Sequence, residues 1–379
     1  MITDASALES LCDEMAEEAF YAFDTEFHTE RTYRPQLALI QLAWRDKVAI
    51  VDPLATSPTP LARLFEGPGV GVAHAAGQDL EILRTVCGVA PRTVFDTQIA
   101  AGFLGMSTPS LLRLVDRMLG ISLSKTDQLS DWMVRPLPTS QLAYAASDVD
   151  HLLELRQAMV AELEAVGRLA WALEECSVAQ ANQRHEVDPL KAWWKVSDVR
   201  RVTGRGRGVA QEVAAWRERR ASATDRPRRS VLPDLAIVTI AQKAPRNRRE
   251  LESLRGVDGR YMAKGAAQEI LEAIERGRSL SERDLQLPPE APENRASQVA
   301  VAICAGVVRH IADDLNLDQS LLATRVDIAQ LIVGEPSRLD IGWRAELAGI
   351  PLHRLLAGEL AAAFTPEGNL VLEERRRAS

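Results

Sequence analysis

The chain has 379 residues, of which 46% are hydrophobic and 26% are charged, and its formal net charge is −8. This length predicts two or three domains, and four widely separated cysteines without a CxxC pair argue against a zinc cluster or a disulfide framework. No apolar run approaches the ~18 residues of a membrane span, and the acidic N-terminus differs from a cationic signal peptide. We therefore expect a soluble cytoplasmic protein without a membrane partner.

The charged residues are divided unevenly along the chain. Residues 1–160 contain 12 Lys and Arg against 21 Asp and Glu, whereas residues 200–260 contain 16 Lys and Arg against 7 Asp and Glu. An acidic half is suited to binding metal ions, and a basic segment is suited to binding a polyanion. The alternative for the basic segment is an Arg-rich helix surface that is simply solvated.

Apolar spacing predicts the order of the elements in the first half of the chain. The predicted elements are a helix at 6–18, strands at 20–28, 36–44 and 47–52, a short helix at 60–65, a strand at 70–73, a helix at 77–87, a strand at 93–95, helices at 97–104 and 110–119, and one long helix at 139–166. Strands that first form a meander and then alternate with helices predict a mixed sheet covered by helices.

Two carboxylates lie inside the first apolar strand. Asp24 and Glu26 are at positions i and i+2, so their side chains point to the same face with Cβ atoms roughly 7 Å apart. Two acids among aromatic residues are costly to bury without a positive partner. A divalent metal ion is the strongest candidate for that partner.

Three further side chains extend this acidic set. Asp79 falls in the first turn of a predicted helix, directly after a strand that ends at His74. It faces the strand end, although the alternative is that it only stabilises the helix through the helix dipole. Tyr144 and Asp148 are at i and i+4 of the long helix, so they share one face about one turn apart.

The four carboxylates and the tyrosine together resemble the tyrosine-containing branch of the DEDD superfamily of 3′→5′ exonucleases. Asp24 and Glu26 match the first motif, Asp79 matches the second, and Tyr144 with Asp148 matches the third. The segments 128–132 (Gln-Leu-Ser-Asp-Trp) and 135–137 (Arg-Pro-Leu), which precede the third motif, look specifically like ribonuclease D.

The second half of the chain is predicted to be helical and rich in arginine. Residues 233–238 and 325–331 occupy similar places between predicted helices, and residues 288–294 form a proline-rich linker. These segments look like two copies of the helicase-and-ribonuclease-D C-terminal (HRDC) domain, the second of them diverged. The resemblance thus implies an α/β ribonuclease H-like exonuclease domain, with a mixed sheet flanked by helices, followed by two small all-α helical-bundle domains.

The resemblance also sets the expected domain bounds. They are an exonuclease domain at 1–170, a helical connector at 171–204, a first HRDC domain at 205–287, a second copy at 288–369 and a charged tail at 370–379.

The resemblance implies a role for each site residue. Asp24, Glu26 and Asp148 are expected to bind a metal ion that activates water, Asp24 is expected to reach a second ion with Asp79, and Tyr144 is expected to orient the attacking water. Oxygen ligands predict two divalent ions, Mg²⁺ or Mn²⁺. Weaker candidates are His74 and Gln78 for the terminal nucleotide, Lys125 and Arg135 for phosphate, and Asp131 and Trp132 for shaping the site.

The expected function is a metal-dependent 3′→5′ exoribonuclease that releases 5′-nucleotides from the single-stranded 3′ ends of tRNA precursors and other small structured RNAs. The tRNA preference comes from the resemblance alone, whereas the basic helices predict salt-sensitive, sequence-tolerant RNA binding. A DNA-directed exonuclease and a nucleic-acid-binding protein with an inert nuclease domain remain alternatives. We expect a monomer.

Overall fold

The computed structural model describes residues 1–123, 130–181, 188–263 and 265–375. Lys125 and the first two residues of the 128–132 motif therefore lie outside the described residues. The chain forms two compact units. Unit 1 is the described part of Met1–Glu26, Leu39–Gln183 and Glu290–Ser379, and unit 2 is the described part of Phe27–Ala38 and Arg184–Pro289. None of the described helices is long and apolar enough to cross a membrane.

A five-stranded mixed sheet lies at the centre of unit 1. Its strands are β1 (Phe20–His28), β2 (Gln36–Trp44), β3 (Lys47–Val51), β4 (Val70–Ala73) and β5 (Thr93–Asp96), and their order is β3-β2-β1-β4-β5. β2 and β3 form an antiparallel hairpin, whereas β4 runs parallel to both β1 and β5. The predicted mixed sheet is confirmed, and β1 is its central strand.

The sequence of β1 explains its central place. Tyr21, Ala22 and Phe23 have no exposed surface, so side chains on both faces of this part of the strand are covered. Gly71 on β4 lies beside Tyr21, and a Cβ atom at Gly71 would come within 2.8 Å of the Phe23 ring. Glycine at this position therefore allows β4 to pack close to the aromatic residues that lead into Asp24.

Unit 1 has eight α-helices among the described residues before Arg184. They are α1 (Ala5–Met15), α2 (Ala62–Glu66), α3 (Gly77–Cys87), α4 (Thr97–Gly102), α5 (Leu111–Leu119), α6 (Thr139–Asp150), α7 (Leu152–Ala165) and α8 (Leu169–Ala181). The prediction of one long helix at 139–166 is wrong, because His151 has φ −102° and ψ 0° and separates α6 from α7. The buried residues Val149, Leu152 and Leu155 continue at a spacing of three across this break, so apolar periodicity could not reveal it.

Unit 2 is helical and has its own apolar core. Its described α-helices are α9 (Gly206–Thr224), α10 (Arg228–Val231), α11 (Asp234–Lys243), α12 (Arg248–Glu252) and α13 (Ala266–Ser279). Val213, Ile237 and Ile270 are fully buried and belong to one hydrophobic cluster. In the same unit, the Tyr33 hydroxyl donates a 2.5 Å hydrogen bond to the buried Glu218 on α9.

In its described residues, the C-terminal region of unit 1 contains six α-helices and a β-hairpin. They are α14 (Pro292–Arg295), α15 (Gln298–Asp314), α16 (Gln319–Leu322), α17 (Arg325–Val333), α18 (Gly342–Arg344), α19 (Ile350–Leu356), β6 (Leu360–Phe364) and β7 (Leu370–Glu374). Val301, Trp343 and Leu352 share one hydrophobic cluster with Val72 and Phe95 of the central sheet.

This arrangement bears on two expectations for the end of the chain. The all-α prediction for this region is wrong, since β6 pairs with β7 from Leu360 opposite Glu374 to Phe364 opposite Leu370. Residues 370–374 of the expected charged tail form β7. The alanine-rich sequence of β6 favours a helix, and cross-strand pairing overrides that preference. A count of two separate helical domains is not confirmed, and the domain bounds given above stay a prediction.

Candidate active site

Three carboxylates converge between the central strand and α6. Asp24 and Glu26 on β1 and Asp148 on α6 each offer a carboxylate oxygen, and these oxygens all lie within 4.8 Å of one another. All three side chains are half-buried. The i, i+2 spacing on a strand thus places two acids on one face, and α6 supplies the third.

The electrostatics of this cluster favour a bound cation. Burial raises the pKa of Asp24 well above its ordinary value, and the charges of Asp79, Asp148 and Glu26 raise it further. Burial, with Asp148 and Asp79 nearby, raises the pKa of Glu26 to about 8, and burial raises the pKa of Asp148 to about 7. A divalent ion among these oxygens would relieve the repulsion, and oxygen-only donors suit Mg²⁺ or Mn²⁺. The donor set therefore fits the predicted metal.

Asp79 lies beside this cluster in the first turn of α3. Its side chain is buried and is not one of the three that share the 4.8 Å group. The Thr25 hydroxyl donates a hydrogen bond to Asp79 Oδ1, and burial raises the pKa of Asp79 to about 6 although that hydrogen bond opposes the shift. Thr25, between the two acids of β1, thus connects the first and second motifs.

Asp96 holds the turn that precedes α3, a role that sequence reasoning missed. Its carboxylate accepts hydrogen bonds from the backbone N–H groups of Ala75 and Ala76 at 3.0 and 2.9 Å, and Ala75 has a positive φ of 59°. The same carboxylate caps α4 by accepting from the N–H of Gln98 at 2.8 Å. An aspartate between a strand and a helix is a recognisable N-cap signal. Its hydrogen bonds to the N–H groups of Ala75 and Ala76 join residues about twenty positions apart, so local sequence patterns could not predict them.

Tyr144 is half-buried one helical turn before Asp148 on α6. Burial raises its pKa, and the charges of Asp148, Glu26 and Asp24 raise it further. The phenol therefore stays protonated at neutral pH and can donate a hydrogen bond. Its ring centroid lies 6.0 Å from that of the buried Trp132, so Trp132 packs beside the tyrosine and helps to orient it.

The weaker candidates have distinct surroundings. His74 Nδ1 is 2.9 Å from the Thr97 hydroxyl, and burial lowers its pKa, which keeps the imidazole neutral. Gln78 is exposed in the first turn of α3. Arg135 donates to both carboxylate oxygens of Asp52 at 2.6 and 2.9 Å and to the carbonyl oxygen of Trp132 at 2.7 Å. These contacts give Arg135 a structural role next to the site.

Comparisons with known proteins relate this chain to known families. Residues 1–164 match the family model for a 3′-5′ exonuclease, and residues 207–274 match that for the HRDC domain. Ribonuclease D of Acidiphilium cryptum (strain JF-5) is 34% identical over 370 residues, which cover 96% of this chain and 94% of the relative. Ribonuclease D of Escherichia coli (strain K12) is 32% identical over 371 residues, with coverage of 94% and 98%.

Solved structures show the same relationship. The crystal structure of Escherichia coli RNase D, described as an exoribonuclease involved in structured RNA processing, superposes with a TM-score of 0.83 at 32% identity and covers 94% of this chain and 98% of its own. The catalytic core of RRP6 from Trypanosoma brucei superposes with a TM-score of 0.59 at 26% identity and covers 73% of this chain and 78% of its own.

Proposed function

The chain belongs to the ribonuclease D family and is a 3′→5′ exoribonuclease, and from this premise we propose that it trims the single-stranded 3′ ends of tRNA precursors and other small structured RNAs. The observation that carries the chemical part of this proposal is the set of three carboxylate oxygens, from Asp24, Glu26 and Asp148, within 4.8 Å of one another. The basic character of residues 200–260 supports a polyanionic substrate.

We assign the metal ligands as follows. Asp24, Glu26 and Asp148 would hold one divalent ion, Mg²⁺ or Mn²⁺, and Asp24 with Asp79 would hold a second. When bound, such a pair of ions supplies a nucleophile from water at neutral pH and stabilises the charge on the leaving 3′ oxygen. The hydrogen bond from Thr25 to Asp79 fixes the orientation of the Asp79 carboxylate.

The remaining side chains orient the reactants. Tyr144 keeps its proton and positions the attacking water by a hydrogen bond, since a phenol with a raised pKa is a poor general base. His74, directly after β4, and Gln78, in the first turn of α3, contact the terminal nucleotide. Because β1 and α6 hold the acids in a half-buried site, a single strand reaches them more readily than a duplex.

A time course on a 3′-extended tRNA, resolved to single nucleotides, tests the proposal. We expect stepwise shortening with Mg²⁺ or Mn²⁺, none with EDTA, and a halt where the 3′ extension meets the folded RNA. RNA and DNA oligomers of one sequence, assayed in parallel, separate an RNA-directed from a DNA-directed enzyme. Equal or faster trimming of DNA would contradict the RNA assignment, and internal cuts would contradict the exonucleolytic mode.

Tyr144→Phe tests the positioning role separately. This variant removes only the hydroxyl group, so we expect kcat to fall while Mg²⁺ binding, followed by titration calorimetry, stays close to that of the parent. A proportional loss of metal affinity would show that the hydroxyl supports the ligands rather than the water.

A further inference from the structure

A cavity of about 590 Å³ lies within unit 2, where α9 begins and where α11 and α13 end. Three arginines line it, and each comes from a different part of the unit: Arg205 directly before α9, Arg246 between α11 and α12, and Arg278 near the end of α13. Among the described residues that line the cavity, Glu275 is the single acidic one. Positive charge therefore prevails in this cavity, which we call the arginine pocket.

Close packing of the surrounding helices brings these arginines together. A Cβ atom at Gly206 would come within 2.9 Å of the carbonyl oxygen of Ala241, so only glycine lets the start of α9 approach α11 this closely. Arg205 precedes Gly206 and thereby lies at the rim of the pocket. The backbone N–H of Arg246 donates to the Glu250 carboxylate at 2.8 Å, which fixes the chain that presents its side chain.

The three guanidinium groups retain unused hydrogen-bond donors. Arg278 donates to the carbonyl oxygen of Ala244, and to Glu275 at 3.2 Å, which leaves part of its five-donor guanidinium available. Within the described part of the chain, the side chains of Arg205 and Arg246 form no ion pair, and both are exposed. One anchored and two exposed guanidinium groups around one cavity form an arrangement suited to a tetrahedral oxyanion.

We propose that the arginine pocket binds a phosphate group in the folded body of the RNA. Phosphate fits because it accepts several hydrogen bonds at once and carries the charge that three arginines attract. The choice of RNA as the source of the phosphate rests on the proposed function, whereas the recognition of a phosphate group does not. The pocket binds RNA independently of sequence, because phosphate contacts fix position without reading bases.

Binding of a 3′-extended tRNA in EDTA, measured by fluorescence anisotropy across a salt series, tests this proposal without hydrolysis. We expect the double variant Arg205→Ala/Arg246→Ala to bind more weakly than the parent and to lose roughly one unit of the slope of log K against log salt for each arginine. Arg219→Ala is the matched control. Arg219 is exposed on α9, roughly 20 Å along the helix from Arg205 at 1.5 Å per residue, and its substitution should leave the slope close to that of the parent.

Three results would overturn the proposal. Equal losses in the double variant and the Arg219→Ala control would show a general surface charge effect. An unchanged slope in the double variant would show that no RNA phosphate occupies the pocket. The third result combines two measurements at constant ionic strength: inorganic phosphate stabilises the parent but not the double variant, and both proteins bind RNA equally. This result would show that the pocket binds a small free anion instead of an RNA phosphate. Thermal unfolding establishes that the variants fold. If the double variant does not fold, Arg246→Gln takes its place in the binding experiment.

Hydrolysis of a short, single-stranded 3′-labelled RNA separates this proposal from the proposed function. The double variant should cleave that oligomer at the parent rate, because the pocket binds only the folded part of a longer RNA. A loss of this rate in the double variant would contradict a role confined to binding. If the parent itself fails to shorten the oligomer with Mg²⁺, the proposed function fails whatever the binding data show.

Discussion

The two helical regions that follow the exonuclease sequence differ in what they pack against. Residues 205–289 belong to unit 2 and surround their own core, which includes Ile237 and Ile270. Residues 290–375 belong to unit 1, where the Trp343 ring lies 5.4 Å from Phe103 and 5.2 Å from Trp171. The two regions resemble each other faintly in sequence but differ in packing. Residues 205–289 form a helical unit with its own core, whereas residues 290–375 share the core that contains the central sheet.

Buried arginines show the same contrast. Arg344 in the C-terminal region pairs with the buried Glu175 on α8 and donates to the carbonyl oxygen of Leu321 at 2.7 Å. Arg217 in unit 2 pairs with Asp234 at 2.5 Å and donates to the carbonyl oxygen of Leu232 at 3.1 Å. Each arginine joins elements of its own unit, so substitution of each should affect the stability of a different unit.

The largest expected effect comes from ending the chain after Pro289. This truncation removes Val301, Trp343 and Leu352 from the core that contains Phe95 of β5, and it exposes apolar surface of unit 1. We expect insoluble protein or loss of the cooperative thermal transition, together with loss of hydrolysis of even a short oligomer. A soluble truncated protein with the parental rate on that oligomer would contradict the conclusion that this region completes the core of unit 1.

The two buried arginines give the next largest effect and the sharpest contrast. Arg344→Ala leaves the buried Glu175 without its closest ion-pair partner, so it should lower the stability of unit 1 by about 3–5 kcal/mol. Arg217→Ala leaves the half-buried Asp234 without its ion pair, and we expect a smaller loss of stability in unit 2 because water solvates part of that carboxylate. We expect Arg344→Ala to inactivate the enzyme towards a short oligomer at a lower temperature. Arg217→Ala should preserve that activity and weaken binding of structured RNA instead. Thermal unfolding with parallel assays of both substrates checks this, and identical activity profiles for the two variants would contradict the division into units.

The smallest expected effect is on the pH dependence of stability, to which one buried carboxylate in each unit contributes. Burial raises the pKa of Asp327, but hydrogen bonds from Arg338 and Thr324 outweigh burial and leave the pKa below its ordinary value. For Glu218 in unit 2, hydrogen bonds from Arg228 and Tyr33 likewise outweigh burial and lower the pKa. A lowered folded-state pKa adds stability above the unfolded-state pKa of about 4, and this stability is lost as the pH falls through the folded-state value.

Matched amide variants check this pH dependence. Asp327→Asn should flatten the fall in melting temperature of unit 1 between about pH 5 and pH 3, and Glu218→Gln should do so for unit 2. Each variant serves as the control for the other. A steeper fall in either variant than in the parent would reverse the sign that these contacts predict.

The central strand and the metal-binding candidates were predictable because their signals are local. Asp24 and Glu26 share a face through the two-residue period of a strand, and Tyr144 and Asp148 share one through the helical repeat. The family resemblance then connected these segments, and the structure brings three of the four carboxylates together. Their individual roles in catalysis remain part of the proposal.

The features that sequence reasoning missed depend on contacts between distant segments. Asp96 reaches back to the N–H groups of Ala75 and Ala76, and β6 becomes a strand only because β7 pairs with it. The place of the C-terminal region in unit 1 likewise depends on tertiary packing, such as that of Trp343 against Phe103. Local propensity and periodicity carry no information about such partners.

The most direct test of the central claim is the initial rate at which Asp24→Asn hydrolyses a 3′-labelled single-stranded RNA in Mg²⁺. Asp46→Asn, the same substitution at an exposed hairpin position, is the control, and circular dichroism establishes that both variants fold. We expect Asp24→Asn to lose at least about 100-fold in rate, because groups that only support metal ligands already cost 10–100-fold, while Asp46→Asn keeps the parental rate. A folded Asp24→Asn protein that hydrolyses the RNA at the parental rate would contradict the assignment of the metal site to this strand.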